Sequence, residues 1–135
     1  MKMYIFVPRN EPMGEHLIIS TVNDLLRVHH DSIVYISSDG NYSQMLLVGG
    51  DMRVLTIQLG QMGRLIEDQL GSYRRQFIRI GKSLIVNRNY IFYIHPSRQQ
   101  LVLSDSRNER YTLQASKEAL RQLKQLIEQE NERLR

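Results

Sequence analysis

The sequence lacks cysteine and has no long apolar run. Without a single cysteine in 135 residues, disulfide bonds, thiolate zinc sites, iron–sulfur clusters and thiol nucleophiles are all excluded. No apolar stretch approaches the roughly 20 residues that are needed to span a bilayer. The apolar beginning, residues 1–8, is too short for a signal peptide and is interrupted by Pro8. We therefore expect a soluble, cytoplasmic protein without a membrane partner.

Motifs for catalysis, phosphate cradling and metal binding are also missing. The serines lie in no nucleophile-elbow motif, and Gly49-Gly50 and Gly60-x-x-Gly63 do not match phosphate-binding loops. The four histidines do not have metal-ligand spacing. Two of them, His29 and His30, would point to opposite faces of a strand unless the chain turns there. We predict a protein that is not an enzyme and that has no metal ion and no cofactor.

Acidic residues are absent from one long segment. The whole chain has 18 Lys and Arg against 14 Asp and Glu, a formal charge of +4, which permits a nucleic-acid partner without requiring one. Residues 71–98 contain no Asp or Glu at all. The cations of this segment are Arg74, Arg75, Arg79, Lys82, Arg88 and Arg98. This local concentration favours nucleic-acid binding through loops, although a solvated surface is the usual role of any single Lys or Arg.

Short apolar runs separated by turn residues predict a mostly β domain. The 41% hydrophobic content is sufficient for one core, and the length is that of one domain. Asp39-Gly40 and Gly49-Gly50-Asp51 predict two successive hairpin turns. The expected strands are residues 17–21, 25–28, 33–37, 42–48, 52–57, 76–80, 84–86, 91–95, 101–104 and 110–113. We predict an N-terminal arm, residues 1–16, and one domain with a helical tail, residues 17–135.

Two segments have helical spacing instead. In the first, residues 59–70, Gly60 and Gly63 disfavour a helix by about 1 kcal/mol each, so we expect its regular part to start near Gln61. Ser116 is placed to cap a second, C-terminal helix that is expected to be solvated or frayed beyond residue 128. Its apolar face is expected to pack on the protein's own sheet, and the alternative is a dimer contact.

A series of ordered motifs resembles the LytTR family of bacterial DNA-binding domains. The motifs are Ile33-Val-Tyr-Ile36, Asp39-Gly-Asn-Tyr-Ser43, Phe77-Ile-Arg-Ile80, Lys82-Ser83 and Ile85-Val-Asn87. The resemblance covers roughly residues 17–127. It implies a mostly β fold of small stacked antiparallel sheets with short α-helices, including a C-terminal helix. Its loops would enter successive major grooves of DNA, so that the protein does not use a helix-turn-helix.

The resemblance also implies three base-reaching positions in three different segments, namely Tyr42, Lys82 and Lys117. The Tyr42 ring is alternatively a core residue, since tyrosine serves both roles. The further DNA-binding residues that we predict, from the family pattern and the local charge, are Asn41, Ser43, Arg79, Ser83, Arg88 and Ser116.

Two positions depart from the family pattern. Relatives often carry His where this chain has Gly81, and Arg where it has Lys117. Glycine removes a donor and loosens the loop that carries Lys82. Lysine lacks the bidentate fork that reads guanine, so Lys117 is expected to favour phosphate over base recognition.

The predicted function is sequence-specific binding of double-stranded DNA by a transcriptional regulator, at promoter sites that comprise paired half-sites. A homodimer on DNA is one way to occupy such sites. Many relatives resemble response regulators with a receiver domain, for which residues 1–16 leave no room, so control is expected to come from elsewhere. The alternatives are a single-stranded nucleic-acid binder, with Tyr90, Phe92 and Tyr93 as stacking rings, and a protein-interaction module derived from a DNA-binding domain.

Overall fold

The computed structural model describes residues 14–133, which contain ten β-strands and two α-helices. The strands are β1 His16–Ser20, β2 Leu25–His29, β3 Ile33–Ser38, β4 Ser43–Leu47, β5 Met52–Leu55, β6 Phe77–Ile80, β7 Leu84–Asn87, β8 Ile91–His95, β9 Gln100–Ser104 and β10 Arg110–Gln114. The helices are α1 Leu59–Gln69 and α2 Lys117–Arg133. Most of the predicted N-terminal arm, residues 1–13, lies outside the described residues, and His16 already belongs to β1.

The strands form three antiparallel sheets, as the sequence predicts. One is the β1–β2 hairpin, one is five-stranded in the order β5-β4-β3-β7-β6, and one is three-stranded in the order β10-β9-β8. Both predicted hairpins, β3–β4 and β4–β5, are confirmed by their pairing. The pairing of β3 with β7, in which Tyr35 lies opposite Val86, joins two hairpins that are distant in the chain.

The central strands of the five-stranded sheet, β3 and β7, lie between two separate cores. Successive strand residues point to opposite faces, so Ile85 packs into one core while Leu84 and Val86 pack into the other. The first core also contains residues of the β1–β2 hairpin and α1, and the second contains residues of β9 and α2. The sheet is therefore the middle layer of the domain, and all four residues of β7 are buried.

Helix α1 begins earlier than the sequence predicts. It starts at Leu59 and includes both glycines, although Gln58 at the N-cap position makes no side-chain capping hydrogen bond. Leu59, Met62 and Ile66 are all buried in the first core. Burial of an aliphatic side chain contributes about 1.5 to 3 kcal/mol, which exceeds the glycine cost of about 1 kcal/mol each. The predicted start near Gln61 is therefore wrong because packing outweighs propensity.

Helix α2 has the predicted cap, and its last turns beyond residue 128 are largely exposed, as expected. The amide of Ala119 donates to Ser116 Oγ at 3.1 Å, which confirms the N-cap. The helix continues past residue 128 to Arg133. In this last part the Glu130 carboxylate pairs with the Arg88 guanidinium, which ties the helix to the segment that follows β7.

Asp105 connects the three-stranded sheet to the five-stranded sheet. Its Oδ1 accepts hydrogen bonds from the amides of Arg107 at 2.8 Å and Glu109 at 3.0 Å. Its Oδ2 accepts from the Gly49 amide in the β4–β5 turn at 3.1 Å and from the Tyr111 hydroxyl at 3.3 Å. Burial acts to raise the pKa of Asp105, but these hydrogen bonds to the carboxylate outweigh burial and lower that pKa below its ordinary value.

Replacement of Asp105 by Asn should lower the free energy of unfolding by about 2 to 3 kcal/mol at neutral pH, since an amide group would face buried donors. Because the carboxylate pKa is lower in the folded protein, its contribution is present above the unfolded pKa and is lost as pH falls through the folded value. The difference between the two proteins should therefore shrink in acid. Urea unfolding at several pH values measures this. The exposed Asp68→Asn is the control, with an effect within about 0.5 kcal/mol, and equal effects of the two changes would contradict the assignment.

Candidate nucleic-acid interface

Two of the three predicted contact loops lie at the same end of the five-stranded sheet. β3 leads into the first loop, residues 39–42, and β7 follows the second loop, residues 81–83. Because β3 and β7 pair antiparallel, the end of one strand lies beside the beginning of the other. The amide of Ser38 donates to the carbonyl of Ser83 at 2.9 Å and holds the two loops side by side.

The first loop is held by a serine and presents a tyrosine. Ser38 Oγ donates to the Tyr42 carbonyl at 2.9 Å and accepts from the Gly40 amide at 3.2 Å. The Tyr42 side chain is 49% exposed, so it is not a core ring, and Asn41 beside it is also exposed. Ser43 is fully buried, and its Oγ donates to the Ile57 carbonyl at 2.6 Å. The predicted contact of Ser43 with DNA is therefore not supported by its position, since this buried hydroxyl is bonded to the segment that follows β5.

The second loop is a tight turn in which Gly81 adopts a left-handed backbone conformation. Ile80 pairs with Leu84 across three loop residues, and Gly81 has φ +63°, a left-handed conformation that side chains disfavour. Lys82 and Ser83 are exposed. The Arg79 guanidinium donates to the Lys82 carbonyl at 3.5 Å, so this exposed arginine lies beside the loop backbone.

The third predicted contact is at the beginning of α2. Lys117 is the first residue of the helix and is exposed, and the capping Ser116 precedes it. The helix packs against β6, and its Leu120 belongs to the same core as Ile80 and Leu84, which flank the second loop. The first turn of α2 therefore packs on the same core as the strands that flank that loop.

Arg88 is separated from these positions. It follows β7 at the end of the strand opposite Lys82, and its guanidinium pairs with the Glu130 carboxylate. Its Nε is buried without a hydrogen-bond partner among the described residues. Arg88 therefore has a structural role, and its predicted contact with DNA is not supported by its position.

Comparison with known proteins agrees with this arrangement. The model of the LytTr DNA-binding domain matches residues 23–128, which include all three contact segments. The chain belongs to the LytTR family. This family consists of DNA-binding domains and not of enzymes, which confirms the prediction that the chain has no catalytic role. No curated protein matches the chain at a significant level.

A solved structure shares the LytTR fold. It is the LytTr DNA-binding domain of a methyl-accepting/DNA response regulator from Bacillus cereus, which is 19% identical in sequence. The match covers 84% of this chain and 96% of that one, with a TM-score of 0.57. Between residues 14 and 133, neither helix combines the length and apolar character that a membrane span requires.

The beginning of α1 lies beside the two predicted contact loops, a proximity that the sequence does not predict. Gln58 lines a hollow beside Asn41 and Tyr42, and it also lines a second hollow beside Lys82. Gln61 also lines the first hollow, so the first turn of α1 lies beside both loops. No local signal in the sequence reveals this proximity, because it depends on how α1 packs against the five-stranded sheet.

Three residues of this LytTR domain lie close enough to raise the question of a metal ion. The ligand atoms of His29, His30 and Asp31 all lie within 4.8 Å of one another. The chain turns at His30–Ser32, which is the exception under which the two rings need not point to opposite faces, and their centroids are 4.3 Å apart.

Hydrogen bonds give these side chains a structural role. His29 Nδ1 accepts from the Asp31 amide at 3.2 Å, and His30 Nδ1 donates to Gln76 Oε1 at 2.7 Å. The buried His30 ring also stacks on Tyr73, with centroids 3.9 Å apart. The facing ring nitrogens are thus engaged by protein groups, and the cluster is explained as a link between β2 and the segment before β6.

Replacement of Gly81 by Ala should lower the free energy of unfolding by about 1 kcal/mol, because the added Cβ disfavours φ +63°. Gly63→Ala is the matched control: this glycine lies inside α1, where a Cβ would meet no atom within 4 Å, so alanine should raise stability by up to about 1 kcal/mol. Thermal and urea unfolding measure both. A shift of the two variants in the same direction would contradict the turn assignment.

Proposed function

We propose that this LytTR domain is a sequence-specific, double-stranded DNA-binding transcriptional regulator that inserts its loops into the major groove. The observation that supports the proposal is that the two loops lie side by side and that they and the start of α2 each carry an exposed side chain that can reach a base or a phosphate. These side chains are Tyr42, Lys82 and Lys117. Their backbones are held by the strand pairing and by the Ser38 and Ser116 hydroxyls.

Each group has a role that fits its chemistry. Lys82 can donate to guanine O6 and N7, and Asn41 offers the paired donor and acceptor that match adenine. Lys117 lies at a helix N-terminus, where unpaired amides attract a phosphate oxygen. Arg79, Ser83 and Ser116 are assigned to the DNA backbone, since all three are exposed beside these groups. Ser43 and Arg88 are not part of the proposed interface.

Paired half-sites in promoters are part of the proposal, with one molecule on each half-site and a homodimer as the bound form. In vitro selection of duplexes from a random pool tests this feature. Two copies of one motif at a fixed spacing are expected among the selected sequences, because two identical domains read two identical half-sites. Selection of a single motif copy would mean that one molecule binds alone.

The aromatic cluster does not favour the single-stranded alternative. Stacking of bases requires open ring faces, but the Arg110 guanidinium lies over the Phe92 ring, 4.0 Å from its centroid. The Tyr90 hydroxyl donates to the Asp31 carbonyl, and the Tyr90 ring packs against the second core. Of the three rings, Tyr93 alone is exposed without such a contact to a cation or to the core.

Lys82→Ala should weaken binding to a selected duplex by about 1 to 3 kcal/mol and relax the preference at one base pair. Lys117→Ala should weaken binding to all duplexes and reduce the salt slope by about one unit, because it removes a phosphate contact. Fluorescence anisotropy at several salt concentrations, with selected and scrambled duplexes, measures both effects.

Arg107→Ala is the matched control for these two variants. Arg107 is exposed in the β9–β10 loop, and its guanidinium lies beside Gly49, at the end of β4 opposite Tyr42. Arg107→Ala should change the affinity for duplex DNA only through the overall charge of the protein. If Lys82→Ala and Lys117→Ala bind like Arg107→Ala, the proposed contacts are wrong.

A further inference from the structure

A cavity of about 570 Å³ lies between α1, the 3₁₀ segment Gly71–Gln76 and the strands β6 and β7. Its volume is within the range of about 300 to 1,000 Å³ that is usual for small-molecule sites. The cavity is lined by Gly60, Gly63, Arg64, Ile66, Glu67, Arg74, Arg75, Phe77, Arg79 and Ile85. It therefore combines an apolar floor with a cationic rim.

The two glycines of α1 leave this cavity open. They are three residues apart, so they lie on the same face of the helix. Neither has a positive φ, and a Cβ at either position would meet no atom within 4 Å. Neither the backbone conformation nor a close approach therefore requires glycine, although each costs about 1 kcal/mol relative to alanine inside a helix. Because glycine has no side chain, the space beside Ile66 and Phe77 stays open. Keeping this space open is the role that we assign to the two glycines.

The rim carries uncompensated positive charge. Arg64, Arg74 and Arg75 are exposed and pair with no acidic group in the described part of the chain, so their guanidinium donors are available to a ligand. The fourth arginine, Arg79, donates to the Lys82 carbonyl at 3.5 Å. Glu67 is the one acidic residue among the lining residues. A guanidinium cluster of this kind is suited to carboxylate, phosphate or sulfonate groups.

We propose that this cavity is a binding site for a small organic anion with an apolar body. The acidic group binds the arginine rim, and the apolar body covers Phe77 and Ile66 on the floor. A phosphate group alone has no apolar part to cover Phe77 and Ile66, so the apolar floor distinguishes this site from a simple phosphate-binding surface.

Arg79 connects the cavity to the second loop. It lines the cavity and also donates to the Lys82 carbonyl, so an anion that draws its guanidinium inward competes with that hydrogen bond. Occupancy should then alter how the loop presents Lys82. This consequence rests on the proposed DNA-binding function, whereas the binding of the anion does not.

The test uses 8-anilinonaphthalene-1-sulfonate, an aromatic sulfonate, as the probe and contains no DNA. Fluorescence titration should show saturable binding at a single site. In ¹H–¹⁵N spectra of the ¹⁵N-labelled chain, the amide signals of Gly60, Gly63 and Phe77 should shift with the same saturation. Because DNA is absent, the result is independent of whether the proposed DNA contacts are correct.

Two variants and a control locate the site. Gly63→Leu places a side chain in the cavity while keeping a strong helix former in α1. Arg75→Gln removes one charge from the rim without burying any group. Each should weaken probe binding by about tenfold or more, since loss of a charge-assisted hydrogen bond or of the apolar contact is worth at least about 1.4 kcal/mol. Arg107→Gln, which removes a charge far from the cavity, should bind the probe like the unmodified protein.

Three outcomes would overturn the proposal. One is unchanged probe affinity in Gly63→Leu with its fold intact by thermal unfolding. Another is a set of shifted amides around Phe92 and Tyr93, which would place the probe on the exposed aromatic surface instead. The third is unchanged probe binding in Arg75→Gln, which would show that the arginine rim does not bind the acidic group of the probe.

Discussion

The pairing of β3 with β7 is the constraint on which the rest of the structure depends. Both strands contribute residues to both cores, and all of β7 is buried, so their backbone groups must find partners in neighbouring strands. The buried Asn87 extends this pairing, because its Nδ2 donates to the Ile33 carbonyl at 3.0 Å. A slip of one residue would send Val34 and Ile36 into the wrong cores, and it would break the hydrogen bond that holds the two loops together.

Within the contact segments, short polar side chains hold the backbone and long ones are left exposed. Ser38, Ser43 and Ser116 each use their hydroxyl to bond a nearby backbone group. The long side chains of the loops, Tyr42 and Lys82, are exposed to solvent. A sequence motif does not distinguish a residue that holds the backbone from one that is left exposed, because both are polar and lie next to each other in the chain. This explains why Ser43 was predicted to contact DNA although it is buried.

The local features were predictable, and the long-range ones were not. Alternation of apolar residues, turn residues and a serine cap identified the strands, the β3–β4 and β4–β5 hairpins and the beginning of α2. The start of α1 at Leu59 depended on burial against a sheet that the sequence does not specify. The ion pair of Arg88 with Glu130 and the hydrogen bonds of Asp105 join residues from separate elements, so no local pattern reveals them. The predicted contact loops follow from the spacing of the family motifs. The position of Gln58 beside both loops depends instead on how α1 packs against the sheet.

The acid-free segment that first suggested DNA is not one surface. In the folded protein, Arg79 and Lys82 lie at the second loop, and Arg74 and Arg75 line the cavity. Arg88 pairs with Glu130. Charge counted along the chain therefore indicates a kind of partner but not where it binds.

The position of Lys117 adds an electrostatic argument. A cation at a helix N-terminus is disfavoured by the helix dipole, by about 0.3 to 1 kcal/mol at an exposed site, and Glu118 beside it offsets part of this. A lysine that weakens its own helix has no stabilising reason to be there. A bound DNA phosphate would make the position of Lys117 favourable, because its ammonium group and the unpaired amides of the first turn then attract the same anion.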